Sequence, residues 1–260
     1  MTLSLTEIYQ ILLKKYGSQG WWPLIEFAGT NPTLRGRLTG YHPGNYELPS
    51  TEKEMLEVML GAILTQNTSW VNAEKALFQL THSDLIDTQK LLGVPVEQLA
   101  QLVRSSGYYN QKAARIHNLA HFLENHPIPS LLTQTAENLR PELRTIKGVG
   151  NETSDSILLY ALKKPIFVVD AYTKRLLVRG GLITPSSTYE EIQALFHREI
   201  TPSVEMYNEF HALIVQHCVH CCLKMPLCDS CPLKELCQKN SFSVPKRGQS
   251  KKTKDGITKR

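Results

Sequence analysis

Apolar positions along this chain recur mostly at helical spacing. Between Thr51 and Leu64, the residues Leu56, Met59, Leu60, Ile63 and Leu64 fall at i, i+3, i+4, i+7 and i+8, one face of an α-helix. Thr51 followed by Glu54 is a capping box, which satisfies orphan N–H groups where such a helix begins. Thr188 and Glu191 repeat that signal ahead of Ile192, Leu195 and Phe196. Comparable periods run over residues 8–16, 70–80, 96–103, 116–123, 157–162, 172–177 and 212–215. Gly17, Gly107 and the pair Gly180–Gly181 supply stops. The only strand-like run is Ile166 to Val169, too short and isolated to found a sheet. No repeat of fixed period appears, so the pattern predicts an all-α fold with short connections.

Composition narrows the class without changing that picture. A chain of 260 residues with 42% hydrophobic and 20% charged residues is neither fibrous nor disordered, and it is long enough for one large domain or two modest ones. No stretch reaches the roughly 18 consecutive apolar residues of a membrane span. The N-terminus carries no basic segment or cleavage signal. The expectation is a soluble chain that stays inside the cell. The net charge of +5 is uneven: Lys246, Arg247, Lys251, Lys252, Lys254, Lys259 and Arg260 face Asp255 alone over the last twenty residues. This polar tail reads as disordered, either a hold on a polyanion such as nucleic acid or a solvated terminus.

Candidate chemistry begins with cysteine. All six lie between Cys218 and Cys237, a clustering that an intracellular chain uses for metal rather than disulfides. Cys221, Cys228, Cys231 and Cys237 stand as C-x6-C-x2-C-x5-C, and Cys218 and Cys222 are left over as packing or supporting thiols. Zinc and a 4Fe–4S cube both suit four thiolates in one loop, although zinc sites usually pair two short knuckles and only Cys228–Cys231 qualifies here. A second signal lies between Leu143 and Leu158, where Gly148 and Gly150 bracket Val149 just before a helical period. Such a turn can bring bare N–H groups to a helix start and receive a phosphate, or simply join two helices.

The order of these features carries a resemblance. The hairpin Ile146–Gly150, the segment Pro165–Asp170 and the four-cysteine loop together resemble the helix-hairpin-helix DNA glycosylase superfamily, in its endonuclease III branch with a 4Fe–4S cluster. The likeness spans roughly residues 50–237 and includes Leu64–Thr68 and Gly107–Lys112. It implies two helical domains flanking a DNA-binding cleft: a six-helix domain over 46–164, and a cluster domain over 165–240 joined by the N-terminal segment 1–45, with 241–260 as the tail. It also implies a monomer acting in the cytoplasm, at the nucleoid, on double-stranded DNA that contains a damaged base.

Site residues transfer position by position from that resemblance. Asp170 matches the catalytic aspartate, Gln66 the residue that fills the gap left by a flipped base, and Gly148, Val149 and Gly150 the DNA-binding hairpin. Cys221, Cys228, Cys231 and Cys237 match the cluster ligands. A carboxylate near the sugar suits glycosidic cleavage, because positive charge develops there in the transition state. Asp170 also precedes a helical period and reads equally as its N-cap. Bifunctional relatives place a Schiff-base lysine 18 positions before the aspartate, but here that position is Glu152, which cannot form an imine. The segments Gly148–Asp155, Thr65–Thr68 and Ser106–Lys112, with Trp21–Pro23, look most like the 3-methyladenine DNA glycosylase III type. In that type aromatic rings sandwich an alkylated purine, and the matching positions are Trp21, Trp22 and Trp70, which read otherwise as core. The expected activity is a monofunctional glycosylase for alkylated purines. The alternatives are a bifunctional endonuclease III-like enzyme for oxidised pyrimidines and a catalytically silent DNA-binding protein.

Overall fold

In the computed structural model, residues 4–33 and 39–238 are described, and the basic tail at 241–260 lies outside them. The apolar periods become helices. In chain order these are α1 (Leu5–Tyr16), α2 (Glu52–Leu64), α3 (Trp70–His82), α4 (Thr88–Gly93), α5 (Val96–Leu102), α6 (Tyr109–Asn125) and α7 (Ile128–Leu132). They continue as α8 (Ala136–Thr145), α9 (Asn151–Ser156), α10 (Ala171–Gly180), α11 (Tyr189–Glu199), α12 (Val204–His220) and α13 (Lys234–Gln238). The period at 157–162 is wound as a π-turn, Ile157–Ala161, that prolongs α9. Both capping boxes form, at Thr51 with Glu54 and at Thr188 with Glu191, and a third joins Ser4 to Glu7. Gly17 and Gly181 close α1 and α10 at positive φ.

Helix α2 departs from the amphipathic reading. Every residue from Met55 to Leu64 is buried, Glu57 included. The reason is position: α3, α6, α7, α9 and the π-turn all pack around it, so no side is left for water. Two groupings of helices follow from the contacts. One gathers α3 to α9 about α2; the other sets α1 against α11 and α12, and α10 against α12 and α13.

A buried carboxylate joins the two groupings. Asp155 in α9 receives Arg140 from α8 through two hydrogen bonds of 2.7 and 2.9 Å, while Tyr189 Oη and Gln193 Nε2 of α11 each donate to it at 2.7 Å. A buried charge is tolerated when its lone pairs are filled in this way. The segment Ile166 to Val169 is buried beside this joint and adopts no regular structure, so it builds no sheet. Side chains take over the backbone partners a neighbouring strand would have supplied: Phe167 N–H donates to His197 Nε2 at 3.1 Å, Val169 N–H to Tyr189 Oη at 3.3 Å, and Phe167 O accepts from Gln193 at 2.6 Å. Among the described residues the one β pairing is an isolated bridge between Thr30 and Thr39. No described helix is long and apolar enough to cross a membrane.

Candidate active site

Asp170 is the N-cap of α10, where its Oδ1 accepts the Thr173 N–H at 2.7 Å. The capping role read from sequence is therefore real, and it occupies one of the two carboxylate oxygens. Oδ2 lies 3.7 Å from His211 Nε2 of α12, a contact longer than a hydrogen bond. The Asp170 side chain is only 12% exposed. Burial pushes its carboxyl upward, but His211 and the bonds from Thr173 outweigh that and hold it below the usual aspartate value. His211 Nδ1 in turn meets the Tyr160 hydroxyl of the π-turn at 2.6 Å. Neither His211 nor Tyr160 belongs to any motif in the sequence, and only the folding of α12 onto the π-turn brings them to Asp170.

Glu152 stands in the first turn of α9, immediately after the hairpin. It is open to solvent on one side and crowded by protein on the others. That crowding, and then repulsion from Asp170, push its carboxyl up to about 7, with His211 opposing. The two carboxyl groups are thus driven in opposite directions.

The hairpin is held by side chains from two other elements. Gly148 has φ +98°, and a Cβ there would strike the Arg115 side chain at 2.5 Å, so glycine is required both by the backbone and by the space. Gly150 differs: it is extended, caps α9 and has open space where its Cβ would be. Val149 is buried beneath the turn. Gln66 Nε2 donates to Gly148 O at 3.0 Å and to Thr153 Oγ1 at 2.8 Å, while Arg115 donates to Gln66 Oε1. Nearby, the buried Lys112 ammonium donates to Leu64 O at 2.8 Å and Ser106 O at 2.6 Å, tying the end of α2 to the turn before α6. Tyr108 projects from that turn in the left-handed region and is 66% exposed.

The three tryptophans form one cluster. Trp21 and Trp70 meet edge to face at 4.8 Å, and Trp22 and Trp70 at 5.4 Å. Trp22, only 5% exposed, lies against α2 where Gly61 leaves room for its ring; Trp21 and Trp70 are half-buried. Tyr160 completes the contact, 5.4 Å from Trp22. The aromatic cluster therefore adjoins the Asp170 site directly, through Tyr160 and His211.

At the other end of α12 the structure gathers His217, Cys221 and Cys231, whose ligand atoms lie within 4.8 Å of one another and could hold a metal ion. His217 is absent from the sequence reading, which saw only sulfur. Its Nδ1 contacts the Tyr16 hydroxyl at 3.0 Å, joining α1 to the cysteine loop. Cys228 is exposed on the loop after α12, and Cys237 is half-buried on α13. The leftover cysteines face elsewhere: Cys218 Sγ donates to Tyr172 O at 3.6 Å, and Cys222 Sγ accepts from Arg179 at 3.1 Å.

Residues 60–202 match the HhH-GPD superfamily of base excision DNA repair proteins. A Methanocaldococcus jannaschii protein assigned as a DNA repair glycosylase is 43% identical over 89% of this chain and 94% of its own. Endonuclease III of Bacillus subtilis is 30% identical over 65% of this chain and 70% of its own. Among solved structures, the Helicobacter pylori 3-methyladenine DNA glycosylase bound to 1,N6-ethenoadenine superposes with a TM-score of 0.60 at 25% identity, covering 83% of this chain and 97% of that one. A trapped endonuclease III–DNA covalent intermediate gives a TM-score of 0.65 at 21% identity, over 91% and 97%, a likeness of fold. Hairpin, buried aspartate and matched sequence agree, and the chain belongs to the HhH-GPD superfamily of base excision DNA repair proteins.

Proposed function

We propose that this protein is a monofunctional DNA glycosylase that removes an alkylated purine from double-stranded DNA and leaves the strand unbroken. The observation that carries the reading is that Asp170 stands largely buried at the start of α10, held below the usual aspartate value, while the first turn of α9 carries a carboxylate, Glu152, where an imine-forming amine would have to be. The Gly148–Gly150 hairpin holds the backbone of the duplex, and Gln66 leaves its bonds to Gly148 and Thr153 to fill the space of the extruded nucleotide. The Asp170 charge then opposes the positive charge that builds on the sugar as the glycosidic bond opens. Exposed faces of Trp21 and Trp70 stack on the extruded base, with Trp22 as the floor beneath them. Methylation makes a purine cationic, and electron-rich indoles favour a cation over a neutral ring. The ethenoadenine bound to the Helicobacter pylori relative supports a modified purine as ligand.

The donor set at the end of α12 suits a soft metal centre, since thiolates select iron–sulfur clusters and zinc over hard cations. Cys221, Cys228, Cys231 and Cys237 would hold a 4Fe–4S cluster, with His217 beside it. Such a cluster supplies structural closure of a loop that has little core of its own.

The test is a panel of duplexes carrying methylated, deaminated or oxidised bases, scored separately for base loss and for strand cleavage. Base loss from methylated purines, with scission appearing only after alkali, is expected. Efficient strand nicking, or a borohydride-trapped covalent adduct with the unaltered protein, overturns the monofunctional reading and favours the bifunctional one.

A further inference from the structure

We propose that His217 donates a hydrogen bond from Nε2 to the Cys231 sulfur and so raises the reduction potential of the cluster which that sulfur would ligate. The inference rests on the 4Fe–4S reading above. His217 is fully buried in the last turn of α12, where the cysteine loop begins. Its Nε2 lies 3.7 Å from Cys231 Sγ, within reach of a bond to so large an acceptor. Its carbonyl accepts the Cys221 N–H at 2.8 Å and the Cys222 N–H at 2.9 Å. One residue thus pins Cys221 through its backbone and reaches Cys231 through its ring.

The direction of the bond follows from its two ends. A neutral imidazole has one N–H and one lone pair, and the partner of one nitrogen settles the role of the other. The Tyr16 hydroxyl, at the end of α1, meets Nδ1 at 3.0 Å, and His217 is its one hydrogen-bond partner among the described residues. A phenol is protonated at neutral pH, so it donates to Nδ1 and leaves the imidazole proton on Nε2. A cysteine that binds metal has lost its own proton, so only Nε2 can supply one across the gap to Cys231. Hydrogen bonds to cluster sulfurs favour the reduced form, because the sulfurs share its added negative charge. The opposite tautomer would aim a lone pair at the loop and make His217 a metal ligand beside Cys221 and Cys231. A purely structural ring, joining α1 to α12, would change stability and leave the potential alone.

The experiment uses the full chain purified without oxygen. Iron is measured by elemental analysis, and the one-electron reduction potential of the cluster is measured at an electrode at a single pH. The unaltered chain should hold about four iron atoms. His217→Phe should keep that iron and shift the potential downward. Tyr16→Phe should shift it the same way by a smaller amount, because the imidazole is then released to take either tautomer. A folded, iron-loaded His217→Phe protein whose potential does not fall overturns this inference alone. Loss of iron from a folded His217→Phe protein makes the histidine a ligand and also overturns it. Should that variant fail to fold, Tyr16→Phe decides, since it removes only a hydroxyl: a lowered potential supports the bond, and an unchanged one overturns it. An unaltered chain that carries zinc or no metal overturns the cluster reading and this inference with it.

Discussion

His211 touches Asp170 and Tyr160 through its two ring nitrogens, at 3.7 Å from the carboxylate and 2.6 Å from the phenol. One imidazole thus connects the charge that would face the sugar to the aromatic cluster that would face the base. The arrangement also fixes what replacement of the aspartate removes. Asp170→Asn keeps the size and the N-cap bond to Thr173, because asparagine caps helices as well as aspartate does. Folding should be preserved, as read by circular dichroism, while base release falls by roughly 10²–10³-fold or more with the lost charge. Retained activity in the folded variant would remove Asp170 from the mechanism.

Trp70 and Trp22 should separate cleanly. Trp70→Ala removes a half-buried ring that can reach a base, and stacking of this kind is worth roughly 1–3 kcal/mol per base. Excision of cationic methylated purines should drop in a protein whose melting temperature changes little. Trp22→Ala empties a core position and should cost about 3–5 kcal/mol of stability. A Trp70→Ala protein that unfolds instead would make that ring part of the core.

Metal content should depend on some cysteines and not others. Cys228→Ser is expected to lose iron, measured by elemental analysis, and to loosen the chain beyond α12. Cys218→Ser should keep its iron, because that thiol is buried against Tyr172 rather than turned to the loop. Full iron in Cys228→Ser would break the four-cysteine assignment.

Stability should carry a signature from Glu57, which is 3% exposed in α2 and accepts the Ile25 N–H at 2.6 Å. Burial raises its carboxyl to about 7, against the pull of Ile25 N–H, from an ordinary 4.5. Below the ordinary value both folded and unfolded chains are protonated, and nothing is lost. As pH climbs to about 7 the unfolded chain ionises first and the fold weakens; above that the deficit is constant. Glu57→Gln, which keeps an acceptor for Ile25, should therefore be more stable than the parent at about pH 8 by an amount on the order of 2–3 kcal/mol, with the gain vanishing near pH 4. Denaturant titrations at both pH values check it, and an equal difference at the two would refute it.

What could be read from the chain in advance was local. The box at Thr51 and Glu54 and the period that follows it lie within one helix, so sequence order displays them. The cysteines stood out because their spacing is short and their chemistry rare, while Asp170 and Gly148 were picked out through the order of motifs that carries the family resemblance. His211 did not, because its partners are 41 and 51 positions away and meet only after α12 packs on α10 and the π-turn. His217 was not singled out because a histidine near a cysteine loop has no fixed spacing, and only the fold sets it beside Cys221 and Cys231. Helices α4, α7 and α13 have five or six residues, too few for a period to emerge, and α8 carries too many polar residues. The strand-like run at 166–169 shows the converse: its composition reports burial, and side chains from α11 replaced the neighbour a strand would have needed.

The Asp155 joint has a mechanical consequence. Arg140, Tyr189 and Gln193 converge on one buried carboxylate from both groupings of helices, and separating them would strand a charge without partners. The joint resists parting of the two groupings. On the proposed function, deformation would fall on the duplex, whose resistance varies with pairing strength and with the flexibility of each base step. A lesion that weakens its own pairing is extruded at lower energy than an intact neighbour. On the proposed function, selection of damage would start in the elasticity of the DNA, before any indole had met a base.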